Sequence, residues 1–297
     1  MPKIVVVGSI NMDLVVLTSR YPEIGETLTG EGFMTFAGGK GANQAVAASR
    51  LGSSVVMLGC VGNDAFGREL SARLLNEGVD TAWVDVIEEV ETGVAAITVA
   101  GGDNAIVVIP GANHRLSEAH VQAAERVIRD ADVVLSQLEV PMPTVLAAAR
   151  MARKHGKPFI LNPAPAQKLP GELLDLVTLI TPNEFELATA LGCKGADYTE
   201  LLDFLPGRVA MTRGAHGAFY SCSSGTLHHQ PSFAVEVVDT TGAGDTFNAA
   251  LATFWHLGLA EAIRRACAAA ALSVTRLGAQ GGMPTLSELD DFLARQA

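Results

Sequence analysis

The chain has 297 residues, 48% of them apolar, and a formal net charge of −11. That is enough apolar chain for one large α/β domain or two smaller ones. The charge argues against a nucleic-acid or anionic-membrane partner, although one local positive pocket suffices for a small anion. Apolar runs are short or broken by charges, which argues against a transmembrane helix.

Met1-Pro-Lys-Ile-Val-Val-Val7 enters a strand at once, with no leader-like apolar region. The β-branched run to Val7, closed by Gly8, predicts a strand buried on both faces of a parallel sheet. Ser9-Ile-Asn-Met-Asp13 follows at the strand's C-terminal end, where open α/β sheets bind ligands. Asn11 and Asp13 alternate, so both side chains can point one way. They read equally well as turn chemistry. Residues 14–36 hold two short strands, around 14–18 and 27–36, with no helix between them, so this is no βαβ crossover. Residues 93–99 and 105–109 form a candidate hairpin around Gly101-Gly-Asp-Asn104. The two excursions read either as a small β lid on a single domain spanning 1–297 or as extensions of the main sheet.

Ala37-Gly-Gly-Lys-Gly-Ala-Asn-Gln44 opens an Ala-rich helix to Leu51. It is not a Walker A loop, but its glycines permit close backbone approach, and Lys40 and Asn43 supply donors. A strand over 55–60 and a helix to about Asn76 follow. Ser117 caps a helix, and a strand over 132–135 leads to Gln137-Leu-Glu-Val-Pro141, placing the Glu139 carboxylate just past a strand end. Helix 142–154, strand 158–161 and Asn162-Pro-Ala-Pro165 repeat the scheme. After a strand over 177–180, Asn183 and Glu186 lie three apart at the start of a helix. The pair reads as a capping box or as a water-mediated Mg²⁺ anchor. A strand over 209–212 leads into the glycine turn Arg213-Gly-Ala-His-Gly217, fit for a nucleotide. His228 and His229 read as an exposed strand end, without a third metal ligand nearby. Cys60, Cys193, Cys222 and Cys267 show no CxxC spacing and read as thiols of a reducing cytosol.

A strand-like lead-in over 233–238 precedes Asp239-Thr-Thr-Gly-Ala-Gly-Asp-Thr-Phe-Asn248. Gly242 and Gly244 flank Ala243, and an apolar run follows, so a tight glycine turn opens a buried helix. Unpaired N–H groups and the dipole's positive end collect there and suit phosphate. Asp245 in the first turn is placed to take a proton from an attacking hydroxyl. An ordinary Asp/Thr cap is the bland alternative. Two glycines and two aspartates occurring together favour the functional one. An Ala-rich helix over 261–277, Gly278-Ala-Gln-Gly-Gly282 and a short amphipathic helix end the chain.

In this order the motifs resemble the ribokinase family of sugar kinases. The match runs through Gly8-Ser-Ile-Asn-Met-Asp13, Gly38-Gly-Lys-Gly-Ala-Asn43, Gln137-Leu-Glu-Val-Pro141, Asn162-Pro-Ala-Pro165, Thr181-Pro-Asn-Glu184 and Asp239-Thr-Thr-Gly-Ala-Gly-Asp245, essentially the whole chain. The resemblance implies a three-layer, doubly wound, mostly parallel sheet, a β lid that also forms a homodimer contact, and ATP-dependent phosphorylation of the 5-hydroxyl of D-ribose. It implies Asp245 as general base and the N–H groups of Gly242, Ala243, Gly244 and Asp245 as an anion hole. Asn11, Asp13, Gly39, Lys40, Asn43 and Glu139 would hold the sugar. Asn183, Thr212, Arg213, Gly214, Ala215, His216, Gly217 and Gly244 would contact the nucleotide, with Cys267 near the adenine. Glu186 would hold Mg²⁺ through water.

A monovalent-cation site for K⁺ maps onto Asp239, Thr241, Ser273, Arg276, Gly278 and Gly282. The family pattern leads us to expect a serine at Gly282, so one hydroxyl ligand is missing, and Gly282→Ser is expected to restore it. A kinase for another sugar or nucleoside is the nearest rival. A non-catalytic sugar- or nucleotide-binding regulator would have lost the base or the anion hole. A dinucleotide-binding oxidoreductase would want a strand-linked GxGxxG at the start, and there is none.

Overall fold

The computed structural model describes residues 1–193, 197–222 and 224–296. The chain runs through β1 (Lys3–Val7), β2 (Asn11–Leu17), β3 (Gly32–Gly38), α1 (Lys40–Arg50), β4 (Ser54–Gly62), α2 (Ala65–Asn76) and β5 (Val79–Ile87). Then come β6 (Gly93–Ala100), β7 (Asp103–Ile109), α3 (Glu118–Ala123), α4 (Glu125–Asp130), β8 (Val133–Ser136), α5 (Met142–Lys154) and β9 (Phe159–Leu161). The third stretch holds α6 (Gly171–Leu176), β10 (Leu179–Ile180), α7 (Glu184–Leu191), α8 (Tyr198–Asp203), β11 (Ala210–Thr212), β12 (Ala218–Ser221) and β13 (Leu227–Gln230). Four helices close the chain: α9 (Ala243–Thr253), α10 (Leu259–Ser273), α11 (Ala279–Gly282) and α12 (Leu286–Ala294).

Six strands form a parallel central sheet in the order β10-β9-β8-β1-β4-β5. The β-branched run of β1 explains its central place. Ile4 and Val6 enter one core with α1, α2, α9, α10 and α12, while Val5 and Val7 enter the other with α5, α7 and α8. From β1 the chain builds outward one way through β4 and β5 and the other way through β8, β9 and β10. The crevice beyond the ends of β1 and β8 is therefore the switch point where such sheets bind ligands. Isolated parallel bridges, Ile180 to Val209 and Asn183 to Thr212, carry the line on to an antiparallel sheet, β11-β12-β13.

A separate four-stranded sheet, β3-β2-β6-β7, grows from the two β excursions. Its β2–β6 pair is parallel and its other pairs antiparallel. The edge strand β7 exposes Ile106, Val107, Val108 and Ile109 along its length.

Two expectations change, and one strand goes unread. Residues 233–238 join no ladder. Phe233, Val235 and Val237 instead wall a cavity, and Phe233 packs edge-on against Phe292 at 5.5 Å, so the alternation serves a pocket. The strand β5 carries Asp80 and Asp85 among its apolar residues and lies at a half-exposed sheet edge, so its pattern is too weak to read. The helix expected over 261–277 is α10 and stops at Ser273, because Val238 and Asp239 N–H groups take the Val274 carbonyl.

Candidate active site

The start of α1 lies directly on the backbone leaving β1. Ala42 N–H donates to the Ser9 carbonyl at 2.8 Å, and a Cβ on Gly41 would stand 2.5 Å from the Ser9 nitrogen. Glycine is required there by space. Gly39 caps the helix at φ +85°, where its own Cβ would strike Asn11. This approach brings together residues far apart in sequence. Glu139 accepts from Ser9 Oγ at 2.5 Å and from the Lys40 N–H at 3.0 Å, tying the segment after β8 to those after β1 and β3.

Asn11 and Asp13 sit on one face of β2, as their alternation predicts. Asn11 Oδ1 accepts from Asn113 Nδ2 at 2.7 Å, and Asn113 also exchanges two bonds with the Ile10 backbone. That leaves the Asn11 amide nitrogen as the group free to meet a ligand. Asp13 packs so closely under Gly38 that a Cβ there would stand 2.3 Å from its carboxylate. Burial, then Glu139 and Asp245, push the Asp13 carboxyl up to about 7, against a smaller opposing pull from Lys40.

The buried helix α9 starts behind Gly242 at φ +78°. Ala243 N–H turns back to the Thr240 carbonyl at 3.3 Å and Thr246 N–H starts the helical ladder. The Gly244 and Asp245 N–H groups between them find no backbone partner among the described residues. Nothing stands within 4 Å of a Cβ built on Gly244, so the helix start faces open space. Asp245, 6% exposed, accepts from Asn43 Nδ2 and from Gln44 Nε2, each at 3.0 Å.

Two cavities meet at Gly244. The smaller, about 210 Å³, is polar and lined by Lys40, Asn183, Glu186, Gly242 and Asp245 among others. Lys40 thus borders the helix start and lies within the field of the Asp13 carboxylate. Burial works against its ammonium, but Asp245, Glu139, Glu186 and Asp13 outweigh it and hold its pKa above the ordinary lysine value. Asn183 and Glu186 do form a capping box, at 2.8 Å in both directions. Glu186 Oε2 is taken up by this cap, yet the residue still lines the cavity. Its burial raises its pKa despite the Asn183 N–H and Lys40. Among the described residues no three His, Cys, Asp or Glu side chains converge to hold a metal. One such carboxylate fits Mg²⁺ only if phosphate and water complete the shell.

The larger cavity, about 560 Å³, is mostly apolar and reaches from Gly244 past Thr212, Gly214, Ala215 and Gly217 to Cys267 and Val274. Its walls suit a flat heterocycle. The Cys267 thiol is pushed up to about 12 by burial, so it acts through packing. Arg213 and His216, expected at the nucleotide, are not on this wall. The Arg213 side chain pairs with Glu184 and lies over the Tyr198 ring at 4.7 Å, and the exposed His216 offers its carbonyl to His229.

Of the residues expected at a monovalent cation, Asp239, Thr241 and Gly278 are bonded together. Asp239 Oδ1 accepts from Thr241 N–H and Oγ1 at 2.9 and 2.7 Å, and Oδ2 accepts from Gly278 N–H at 2.8 Å. Burial raises the Asp239 pKa, but these bonds outweigh it and keep the carboxyl below its usual range. The Arg276 side chain turns outward to Glu288, so only its backbone remains for a cation. Gly282 corrects one expectation. A Cβ there would stand 2.0 Å from the Ser273 carbonyl oxygen, so Gly282→Ser cannot simply restore a ligand.

Sequence reading did not single out Gln44, Asn113, Gln137 or Asn248 as members of this site. All four are buried amides bonded to other site residues, and buried amides have no local periodicity that marks them.

The pfkB family carbohydrate kinase pattern matches residues 1–286. The chain is 45% identical over 296 residues to the ribokinase of Bacillus subtilis (strain 168), covering 99% of this chain and 100% of that one. It is 36% identical over 302 residues to the deoxyribokinase of Salmonella typhi, covering 98% of each. The structure of Arabidopsis thaliana ribokinase complexed with ribose and ATP matches it with a TM-score of 0.90 and 32% identity, over 98% of each chain.

The Asp13 environment makes a stability prediction. Its folded pKa of about 7 lies above the ordinary 3.8, so the folded state holds the extra proton. Stability from this group is full below about pH 4, falls as pH rises towards about 7, and is level beyond. Asp13→Asn removes that cost. In urea unfolding of the ligand-free protein the variant should match wild type near pH 4 and exceed it at pH 8, by up to about 4 kcal/mol. A difference that does not change with pH would show that Asp13 is not held protonated.

Proposed function

The chain belongs to the pfkB family of carbohydrate kinases, and we propose that it transfers the γ-phosphoryl group of ATP to the 5-hydroxyl of D-ribose. The observation that carries this is the Asp245 carboxylate, buried and held by two amides at an open helix start between an apolar and a polar cavity. The nucleotide's base would occupy the apolar cavity and its phosphates the helix start, where the Gly244 and Asp245 N–H groups are free. Asn11, Asp13, Gly39, Asn43 and Glu139 would orient the sugar.

As the new O–P bond forms and the bond from the γ-phosphorus to its bridging oxygen breaks, the hydroxyl proton passes to Asp245 and ADP leaves. The proton moves late, because a sugar hydroxyl is a weak acid. Phosphoryl transfer asks mainly for position and charge stabilisation, which the helix start and Lys40 supply. Mg²⁺, near Glu186, would neutralise phosphate charge. The four-stranded sheet would close as a lid and exclude water. Exposed apolar residues on both of its edge strands, Ile106 to Ile109 on β7 and Phe33 on β3, support a homodimer contact. Four free thiols support a reducing, cytosolic setting.

The relative named deoxyribokinase makes 2-deoxyribose the sharpest rival. An ADP-release assay across pentoses, hexoses and nucleosides separates them. We expect kcat/KM for D-ribose to exceed that for 2-deoxyribose by roughly 5- to 150-fold, the worth of one buried hydrogen bond. Asp245→Asn should lower kcat by about 10²–10⁴-fold with binding kept. Equal kcat/KM for the two sugars defeats the ribose reading, and more than about a tenth of wild-type kcat in the variant defeats the base.

For the dimer, sedimentation should show a species of twice 31.0 kDa, and Val107→Asp should reduce it to one chain. A wild type that sediments as a single chain at micromolar concentration removes the contact.

Carbonyls around 273–278 and the Asp239 carboxylate suit a large, weakly hydrated cation such as K⁺. It would stiffen the 239–245 turn and so aim the phosphoryl-binding N–H groups, each worth about 2.7–4 kcal/mol in a transition state. Activity should rise in KCl over NaCl at equal ionic strength with Mg²⁺ fixed, and Asp239→Ala should abolish the difference. Identical wild-type curves would leave Asp239 as a structural clasp.

A further inference from the structure

The Asp245 carboxylate stands at the end of a chain of buried amides. Gln44 is fully buried and all its polar atoms are committed. Its Nε2 donates to Asp245 Oδ1 at 3.0 Å and to Asn162 Oδ1 at 3.2 Å, and its Oε1 accepts from Gln137 Nε2 at 2.6 Å. Gln137 is also fully buried, and its own Oε1 finds no donor among the described residues. It lies against Gly8, where a Cβ would stand 2.2 Å away.

An unpartnered buried carbonyl is a standing cost, so something must hold the Gln137 amide this way round. Turning it over would set two carbonyl oxygens 2.6 Å apart, because Gln44 must keep its nitrogen towards Asp245 and Asn162. The carboxylate's charge therefore sets the direction of the whole chain, from Gln137 to Gln44 to Asp245. Each amide dipole in the series presents its positive end towards Asp245.

We propose that Gln44 is a positioning residue for the Asp245 base, with Gln137 as the second link. The pair keeps the carboxylate turned so that its remaining lone pairs face the acceptor hydroxyl. This rests on the reading of Asp245 as the base. Neither glutamine lines either cavity, and the Gln44 polar atoms are already committed to Asp245, Asn162 and Gln137. The charged groups that face Asp245 are Lys40 from α1, Asp13 from β2 and Glu186 from α7. Gln44 and Asn43 are its neutral donors. Removing a donor to an anion raises its pKa.

The test is the single-turnover rate of phosphoryl transfer from ATP to D-ribose, both saturating, from pH 5 to 9. In that complex sugar covers Asp13, and its contribution is common to all variants. For Gln44→Leu we expect the acid limb to move up by about one pH unit. Its rate at neutral pH should fall about tenfold or more, with both KM values within about threefold of wild type. Gln137→Leu, which does not touch Asp245, should shift the limb the same way by less. Gln44→Glu keeps the volume, sets a second acid beside the first and should shift it further, so the proposal stays testable if Gln44→Leu does not fold.

Asp245→Asn is measured alongside. An inactive Asp245→Asn with unmoved limbs and near wild-type rates in the glutamine variants sinks the relay and leaves the base standing. A lowered rate with an unmoved limb and a lowered melting temperature assigns the glutamines to structure alone and also sinks it. An active Asp245→Asn removes the base, and the relay with it.

Discussion

One ammonium shares the field of four carboxylates where the strands of the central sheet end. Lys40 is drawn on by Asp245, Glu139, Glu186 and Asp13, and its own burial works against its charge. The Coulomb cost of such a cluster is too large for one cation to offset. The structure answers with neutral donors and with a proton. Ser9 and the Lys40 N–H hold Glu139, Asn43 and Gln44 hold Asp245, and the Asn183 N–H holds Glu186. Asp13 packs under Gly38 and takes no such donor among the described residues, and its pKa is the one pushed to about 7.

These donors reach their acceptors because two backbones come very close. The first turn of α1 presses on the residues leaving β1, which only glycine at 39 and 41 permits. That contact puts Lys40, Asn43 and Gln44 on the same side as Asp245, some 200 positions later. The switch point of the sheet then brings Gln137 and Glu139 in from β8. The site is thus held by the packing of α1 against β1 and α9, not by any one loop.

An acidic pocket is a poor host for a polyanion, so phosphate binding has to come from groups that carry no formal negative charge. The open start of α9 offers unpaired N–H groups and the positive end of a helix dipole beside Lys40. The clasp of 239–241 onto Gly278 through the Asp239 carboxylate tightens the turn that leads into this helix start.

Whatever local physics decides was legible in the sequence. An uninterrupted β-branched run reads as a strand buried on both faces, a glycine turn before an alanine-rich run reads as an open helix start, and alternation placed Asn11 and Asp13 on one side of a strand. Each depends on neighbours within a few residues. Tertiary structure decided what depends on distant partners. The alternation over 233–238 is the same for a strand as for a cavity wall, and it is a wall because no strand pairs with it among the described residues. Arg213 follows the end of β11 beside the apolar cavity, yet Glu184 and Tyr198 draw its side chain off that wall. At Gly282 the missing hydroxyl is visible in the sequence, but the carbonyl of Ser273 that leaves no room for one is not. Gln44 and Gln137 are two more amides until the fold closes, because a hydrogen bond across 93 residues leaves no periodic trace in the chain.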